Sequence, residues 1–419
     1  MKTFGAEFKN EWWKDLFQVA FRIFDVMKLA EEQNEKREWM RTTCNHALYA
    51  VVDVFTQYYP VLSTILLTNI YEQLYWCAQQ ENEQLARSAI NCLENLLFLN
   101  GSKFTVQMWN ETIILISNIF NITLPHSLLT WEPDDVLNTF VIPNGENYQA
   151  CNDGTHQVVF NSSSNDVLFT ILLVRCVVQL ELVDAVSSII FGQESIKKDE
   201  MSIKALSSTT AKVESGSKSA EQKLPNGDFK YEVVDNVENE TSESEDEGLY
   251  KYIEVDHLIQ LVECLLDSHI LAQKFNGNNA QRTLLWKAGF KGRSKPNLLR
   301  QETRSVRTAI NILYRLYIDI GRTSVQQKTN IKLKLLRVVE DALNYYSELK
   351  SEQHRQAWIP VIHLLLEKTD AFSPAQFVDL GQDYALNMCR LVECEMREDL
   401  RIILSRVIRK TISINYATV

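Results

Sequence analysis

One stretch of this chain concentrates the residue types that bind anions. From Arg282 to Arg307 there are eight basic residues: Arg282, Lys287, Lys291, Arg293, Lys295, Arg300, Arg304 and Arg307. They face a single acid, Glu302, and Trp286 and Phe290 interleave with them. Gly289 and Gly292 permit a tight, exposed backbone there. Cations beside aromatic rings suit an anionic partner: a phosphoinositide-bearing membrane face, an acidic protein surface, or an acidic segment of the same chain. The structural alternative is that Trp286 and Phe290 pack into a helix junction and the bases are simply solvated. The sequence leaves both readings open.

No other spacing in the chain suggests catalysis. Neither G-x-x-x-x-G-K-[ST] nor G-x-G-x-x-G occurs, so no phosphate-cradling loop is expected. A G-x-S-x-G elbow and an H-E-x-x-H helix are also missing. The seven histidines are scattered: His46 falls on an apolar stripe and reads as a core residue, and His126 follows a proline in a loop. None of the eight cysteines forms a C-x-x-C pair, and most sit on apolar faces, so buried reduced thiols are expected rather than zinc ligands. The expectation is no catalytic site, no metal and no cofactor.

The elements that position the basic stretch follow from composition and periodicity. Glycine (13) and proline (8) are scarce in 419 residues and 45% are hydrophobic, which favours long helices with few breaks. A net charge of -11 argues against nucleic acid, whose phosphates need lysine and arginine in excess. Trp13, Leu16, Phe17, Ala20, Phe24 and Met27 mark a helix from about residue 11 to 30. Trp39, Thr43, His46, Ala47, Ala50, Val51, Val54, Phe55 and Tyr58 mark a second, closed by Pro60. Further helices are expected over about 61–79, 83–99 and 104–120.

Residues 134–165 read as a polar loop, and 166–191 as a strongly apolar helix central in its stack. Residues 192–248 hold few large apolar side chains and read as a disordered acidic linker, since they cannot offset the entropy of ordering. Its end, residues 232–247, carries eight acids and no base, with Ser242 and Ser244 among them; the segment reads either as a merely solvated tether or as a setting that suits a casein-type kinase. Helices resume at about 250–275, 297–320, 328–350, 353–369, 375–394 and 396–414. Similar lengths and short connections make consecutive helices antiparallel neighbours. The expected fold is therefore all-α, a HEAT/armadillo-like solenoid of helical hairpins in two repeat regions, 1–133 and 249–419, joined through the 166–191 helix. The N-terminus lacks the apolar core of a signal peptide, and no stretch of about 18 apolar residues is apparent. A cytosolic chain is expected, with the four sequons as chance matches.

Several strings are more specific than generic helix. WWKDLFQVAFRIFDVMKL, EWMRTTCNHALYAVVDVFTQYY, YEQLYWCAQQENEQLARSAINCLENLLFLNG and PHSLLTWEP resemble the large, brefeldin A-inhibited Arf exchange factors. So do LLVRCVVQLELVDAV and LLDSHILAQKFNGNNAQRTLLWKAGFKGRSKPNLLRQET. The likeness covers most of the chain outside 134–165 and 192–248, weakens beyond about residue 320, and corresponds to the regions C-terminal to the catalytic exchange domain, which no string here matches. It implies a non-enzymatic regulatory and membrane-recruitment scaffold acting in trans-Golgi and endosomal trafficking. It further implies an Arf-family GTPase, an anionic Golgi membrane surface touched peripherally, other protein partners and self-association. A general α-solenoid adaptor with no GTPase or lipid contact is the alternative.

Overall fold

A computed structural model describes residues 5–29, 33–132, 162–193, 248–290, 294–319 and 321–417. The loop expected at 134–165 and the linker expected at 192–248 lie almost wholly outside these residues. The helix expected from residue 166 begins earlier, at Ser162.

The long helices are α1 (Asn10–Leu29), α2 (Gln33–Trp39), α3 (Asn45–Gln57), α4 (Tyr59–Ala78), α5 (Glu83–Asn100) and α6 (Val106–Thr123). After the short α7 (Ser127–Thr130) come α8 (Ser162–Phe191), α9 (Val255–Gly277), α10 (Asn279–Lys287) and α11 (Leu299–Ile318). The remainder are α12 (Val325–Glu348), α13 (Glu352–Ala371), α14 (Pro374–Leu380), α15 (Gln382–Cys389) and α16 (Glu398–Ala417). No strand occurs among the described residues.

Local sequence sets many of the boundaries. The side chains of Asn82 and Thr105 cap α5 and α6 by accepting from the N–H of Leu85 and Met108. Ser324 with Gln327, and Ser373 with Gln376, form capping boxes at α12 and α14. Pro60 does end one helix, and it also stands in the first turn of the next, where its missing N–H costs nothing.

The helices stack in two rows. One row runs α1, α4, α6, α9, α12, α15; the other runs α3, α5, α8, α11, α13, α16. Within the second row, helices run in the same direction. Arg87 pairs with Glu181 at 2.5 Å and Glu94 lies beside Ser188, so α5 and α8 advance together. Glu302 meets Trp358 and Tyr314 meets Thr369, so α11 and α13 do as well. Partners across the rows oppose one another. Trp13 early in α1 packs 5.0 Å from Tyr58 after α3, and His269 of α9 meets Glu302 while Asn276 meets Leu298. Two rows of antiparallel pairs, each touching its neighbours, constitute an all-α solenoid. One continuous apolar core runs from Trp13 to Val407.

Four expectations need correction. Trp39 is 37% exposed and His46 is exposed, so neither is a core residue. Met40, Cys44, Leu48 and Val52 are buried beside the expected Val51, Val54 and Phe55. A π turn at Met40–Cys44 adds a residue to one turn and rotates the helix before it. Met40, Cys44 and Leu48 take core positions in place of Trp39, Thr43 and His46. Second, the helix expected over 375–394 is broken at Gly381, whose φ of 90° is open to glycine but costly for other residues. Third, α10 lies in the gap between the helices expected at about 250–275 and 297–320, capped by the Asn278 side chain. Fourth, Val106–Thr130 is long and apolar enough to cross a membrane by composition, although most of it is buried within the array. Of the cysteines, Cys44, Cys77 and Cys92 are buried as expected, but Cys389 is exposed, and Cys151 lies outside the described residues.

Candidate functional site: a basic edge and the buried polar joint behind it

The ten residues singled out at 282–307 divide by where α10 and its following loop place them. Phe290 is only 5% exposed. It packs 5.2 Å from Phe169, which in turn lies 5.3 Å from Trp131, in a small separate core with Leu128, Leu172 and Leu285. The chain turns into this pocket at Gly289, whose φ is 95°. Phe290 is thus the anchor that seats the segment, as the structural alternative had it. Trp286, one turn earlier, is 42% exposed and Lys287 beside it is also exposed.

The bases divide as well. Arg282 turns inward and donates to the carbonyls of Pro296 (2.7 Å) and Asn276 (3.0 Å), tying the loop to the end of α9. Burial lowers its pKa, and the charge of Glu302 opposes that shift. Arg304 forms an ion pair with Asp184 of α8, joining neighbouring helices of the row. Arg307 is half-buried and engaged. Lys295 donates to Asn279 at 3.1 Å, and Arg300 is exposed on the first turn of α11. Lys291 and Arg293 lie outside the described residues. Trp286, Lys287 and Arg300 remain as the outward-facing part, with half-buried Lys295 between them in sequence.

Behind this edge lies a polar joint that the pattern reading missed. Glu302 is fully buried. Its carboxylate accepts from the Trp358 indole N–H (2.7 Å), from Asn276 and from His354 Nε2 (2.9 Å to one oxygen, 3.1 Å to the other). Its own backbone carbonyl lies 2.7 Å from His269 Nδ1. The side chain of Asn276 also accepts from the N–H of Leu298 at 2.7 Å. The chain of contacts continues through Gln301 to Ser268 (3.0 Å), from Ser268 to Gln179 (2.9 Å), and from Gln179 to Thr123 and the Phe120 carbonyl (2.7 Å each). It therefore links α6, α8, α9, α11 and α13.

Burial pushes the Glu302 carboxyl upward. The hydrogen bonds from His354 and Asn276, the charge at His354 and the Trp358 donor outweigh it and hold the group below the usual carboxylate range. His269 is pushed down, chiefly by burial. A carboxylate with its acceptor sites taken and no route to solvent is a structural brace, not a proton-transfer group. The sequence signal was present but faint: Ser268, His269, Asn276, Gln301 and Glu302 occupy positions on otherwise apolar faces. No group of His, Cys, Asp and Glu among the described residues could hold a metal ion. Burial also raises the pKa of the Cys44 thiol to about 11, and those of Cys77 and Cys92 as well, which keeps these thiols unreactive.

These features define a class: an all-α solenoid that offers surface, cross-braced by a buried polar joint. The chain belongs to the BIG2 C-terminal domain family, whose profile matches residues 177–409. It is 40% identical over 440 residues to brefeldin A-inhibited guanine nucleotide-exchange protein 1 of Mus musculus, which covers 97% of this chain and 22% of that protein. The Homo sapiens protein of the same name gives the same figures of 40%, 97% and 22%. ADP-ribosylation factor guanine nucleotide-exchange factor SEC7 of Saccharomyces cerevisiae is 24% identical over 392 residues, 85% of this chain and 19% of that protein. The chain thus corresponds to a partial region of the brefeldin A-inhibited exchange proteins, spanning about a fifth of the length of the relatives it matches.

Proposed function

We propose that this chain is the regulatory and membrane-recruitment scaffold of an Arf guanine-nucleotide exchange factor, a HEAT/armadillo-like array without an exchange site of its own. The observation that carries the reading is the outward edge of Trp286, Lys287 and Arg300, set on a rigid joint in the region that matches the exchange factors. A half-exposed indole beside lysine and arginine is suited to an acidic protein face or an anionic headgroup layer. The partners proposed are an Arf-family GTPase and an anionic Golgi membrane touched peripherally, in the cytoplasm at the trans-Golgi network and endosomes.

The test is flotation of the purified chain with anionic liposomes, with and without GTP-loaded, lipidated Arf. Arf-dependent flotation that is lost in a Trp286→Ala, Lys287→Glu, Arg300→Glu variant supports the reading. Absence of flotation under every condition overturns it in favour of a general protein–protein adaptor.

A further inference from the structure

A second surface, away from the basic edge, carries its own charge logic. An open groove of about 570 Å³ lies between the end of α8, the C-terminal half of α11 and the end of α13, with Tyr250 on its wall. Arg315 stacks on the Tyr250 ring at 4.2 Å and Arg322 at 4.6 Å. Arg322 is committed to the fold, since it donates to the carbonyls of Tyr250 and Ile253. The two acids of the groove are also engaged: Asp319 accepts from the Tyr250 hydroxyl at 3.4 Å, and Glu367 lies 3.2 Å from His363. Arg315 and Lys368 line the same groove, and no carboxylate among the described residues pairs with either. Lys251 also lines the groove but is engaged, stacking on Tyr252 at 5.4 Å, so Arg315 and Lys368 are the cations the groove presents, beside an aromatic edge.

The chain itself supplies an anion at the rim. Residues 194–247 leave after Gln193 and return at Gly248. The two ends meet closely: a Cβ on Gly248 would lie 2.3 Å from the Ile190 carbonyl oxygen and 2.4 Å from the Gly192 nitrogen. Only a glycine fits there, so the ends of the segment are clamped beside the groove. Its last part, 232–247, holds the eight acids and no base, and Glu247 is three residues from Tyr250. Tethering at that distance sets an effective concentration in the millimolar range, so even a weak contact is populated.

We propose that the groove binds the chain's own acidic segment, residues 232–247, through Arg315 and Lys368. This contact is independent of the Arf and membrane reading above.

The test is carbodiimide coupling of the full chain, which joins a lysine amine to a carboxylate in contact with it, read by mass spectrometry of the digest. Lys368 should couple to carboxylates of 232–247, whereas exposed Lys287 at the basic edge should not. The Lys368 yield should fall by about fivefold or more in 1 M salt, where the screening length is about 3 Å. Arg315→Glu should lower it similarly. Because Arg315 also stacks on Tyr250, a second variant leaves the described residues untouched: Glu238→Gln, Glu240→Gln and Glu243→Gln should reduce coupling of the remaining carboxylates to Lys368. Mixing isotope-labelled and unlabelled chains separates the sources, and the coupling should lie within one chain. Coupling between chains, equal yields at Lys287 and Lys368, or yields unaffected by salt and by both variants would each overturn the proposal.

Discussion

The N-terminal pairs and the central joint of the array are held together by different physics. Between α3, α4 and α5 the packing is chiefly apolar, with Leu48, Leu62, Ile70 and Leu93 at most 1% exposed, and hydrogen bonds such as Tyr49 to Ser88 and Asn100 to Thr56 are peripheral to it. Burial of this kind is strong but non-directional, worth about 25 cal/mol per Å² of apolar surface wherever it is removed from water. The α8–α9–α11–α13 joint adds the directional network around Glu302, in which a slip of one turn would leave a buried carboxylate without donors. An apolar joint supplies stability, whereas the polar joint also sets register, because the wrong register is penalised heavily. Ser268, His269, Asn276, Gln301 and Glu302 all fall in the string 265–303 that resembles the exchange-factor family, so that string marks the brace at least as much as any outer surface.

That contrast can be broken most directly at Glu302. Glu302→Ala leaves Trp358, Asn276 and His354 without their shared acceptor and should cost about 3–5 kcal/mol, read as a lowered denaturation midpoint. Phe290→Ala should cost about 3–5 kcal/mol as well, because it empties the small core with Phe169 and Trp131; equal stability of variant and parent would show that the segment is not seated there. Trp358→Phe keeps most of the ring but removes one donor, with an expected loss of about 1–3 kcal/mol.

Acid should distinguish the two joints next. Glu302 has a folded pKa below its unfolded value of about 4.3, so its contribution is fully present above that value and is lost as pH falls through the lowered one. His269 is held neutral by burial, so the unfolded chain takes up the extra proton, and stability should begin to fall below its unfolded pKa of about 6.5. Thermal melts from pH 8 to pH 3 should therefore show a slope that weakens in Glu302→Gln. An identical slope in that variant would assign the acid sensitivity elsewhere.

The smallest effects belong to the outward residues. Trp39→Ala should cost about 1 kcal/mol or less, because the π turn carries that indole to the surface. Lys287→Glu with Arg300→Glu should change stability by no more than about 0.5 kcal/mol while abolishing flotation with Arf and liposomes. Loss of stability in the double variant would place these side chains in the brace rather than on the binding edge.

Much of the array could be read from periodicity. The face of α1 with Trp13, Phe17, Phe24 and Met27, the stops at Pro60 and near Leu99, and the run of helices after Tyr250 all follow from side chains repeating at helical spacing. The break at Gly381 and the rotation at Met40–Cys44 were not legible, because a one-residue change of register depends on what the neighbouring helix offers. At the candidate edge, composition identified the cluster of bases and aromatics, but not which of them face out.

What the sequence by itself determined is the helical content, the approximate helix boundaries, the charge of the 282–307 segment and the acidity of 232–247. These are local properties, set by spacing, caps and counted charges. Tertiary structure alone decided that Phe290 is an anchor, that Arg282 and Arg304 serve the fold, and that Glu302 ties α11 to α9 and α13 within a network spanning five helices. It also placed Arg315 and Lys368 in one groove, although 53 residues separate them in the chain. The reason is physical: whether a charged side chain binds a partner or holds the molecule together depends on which groups the packing brings within about 3 Å of it, and sequence spacing does not encode that distance.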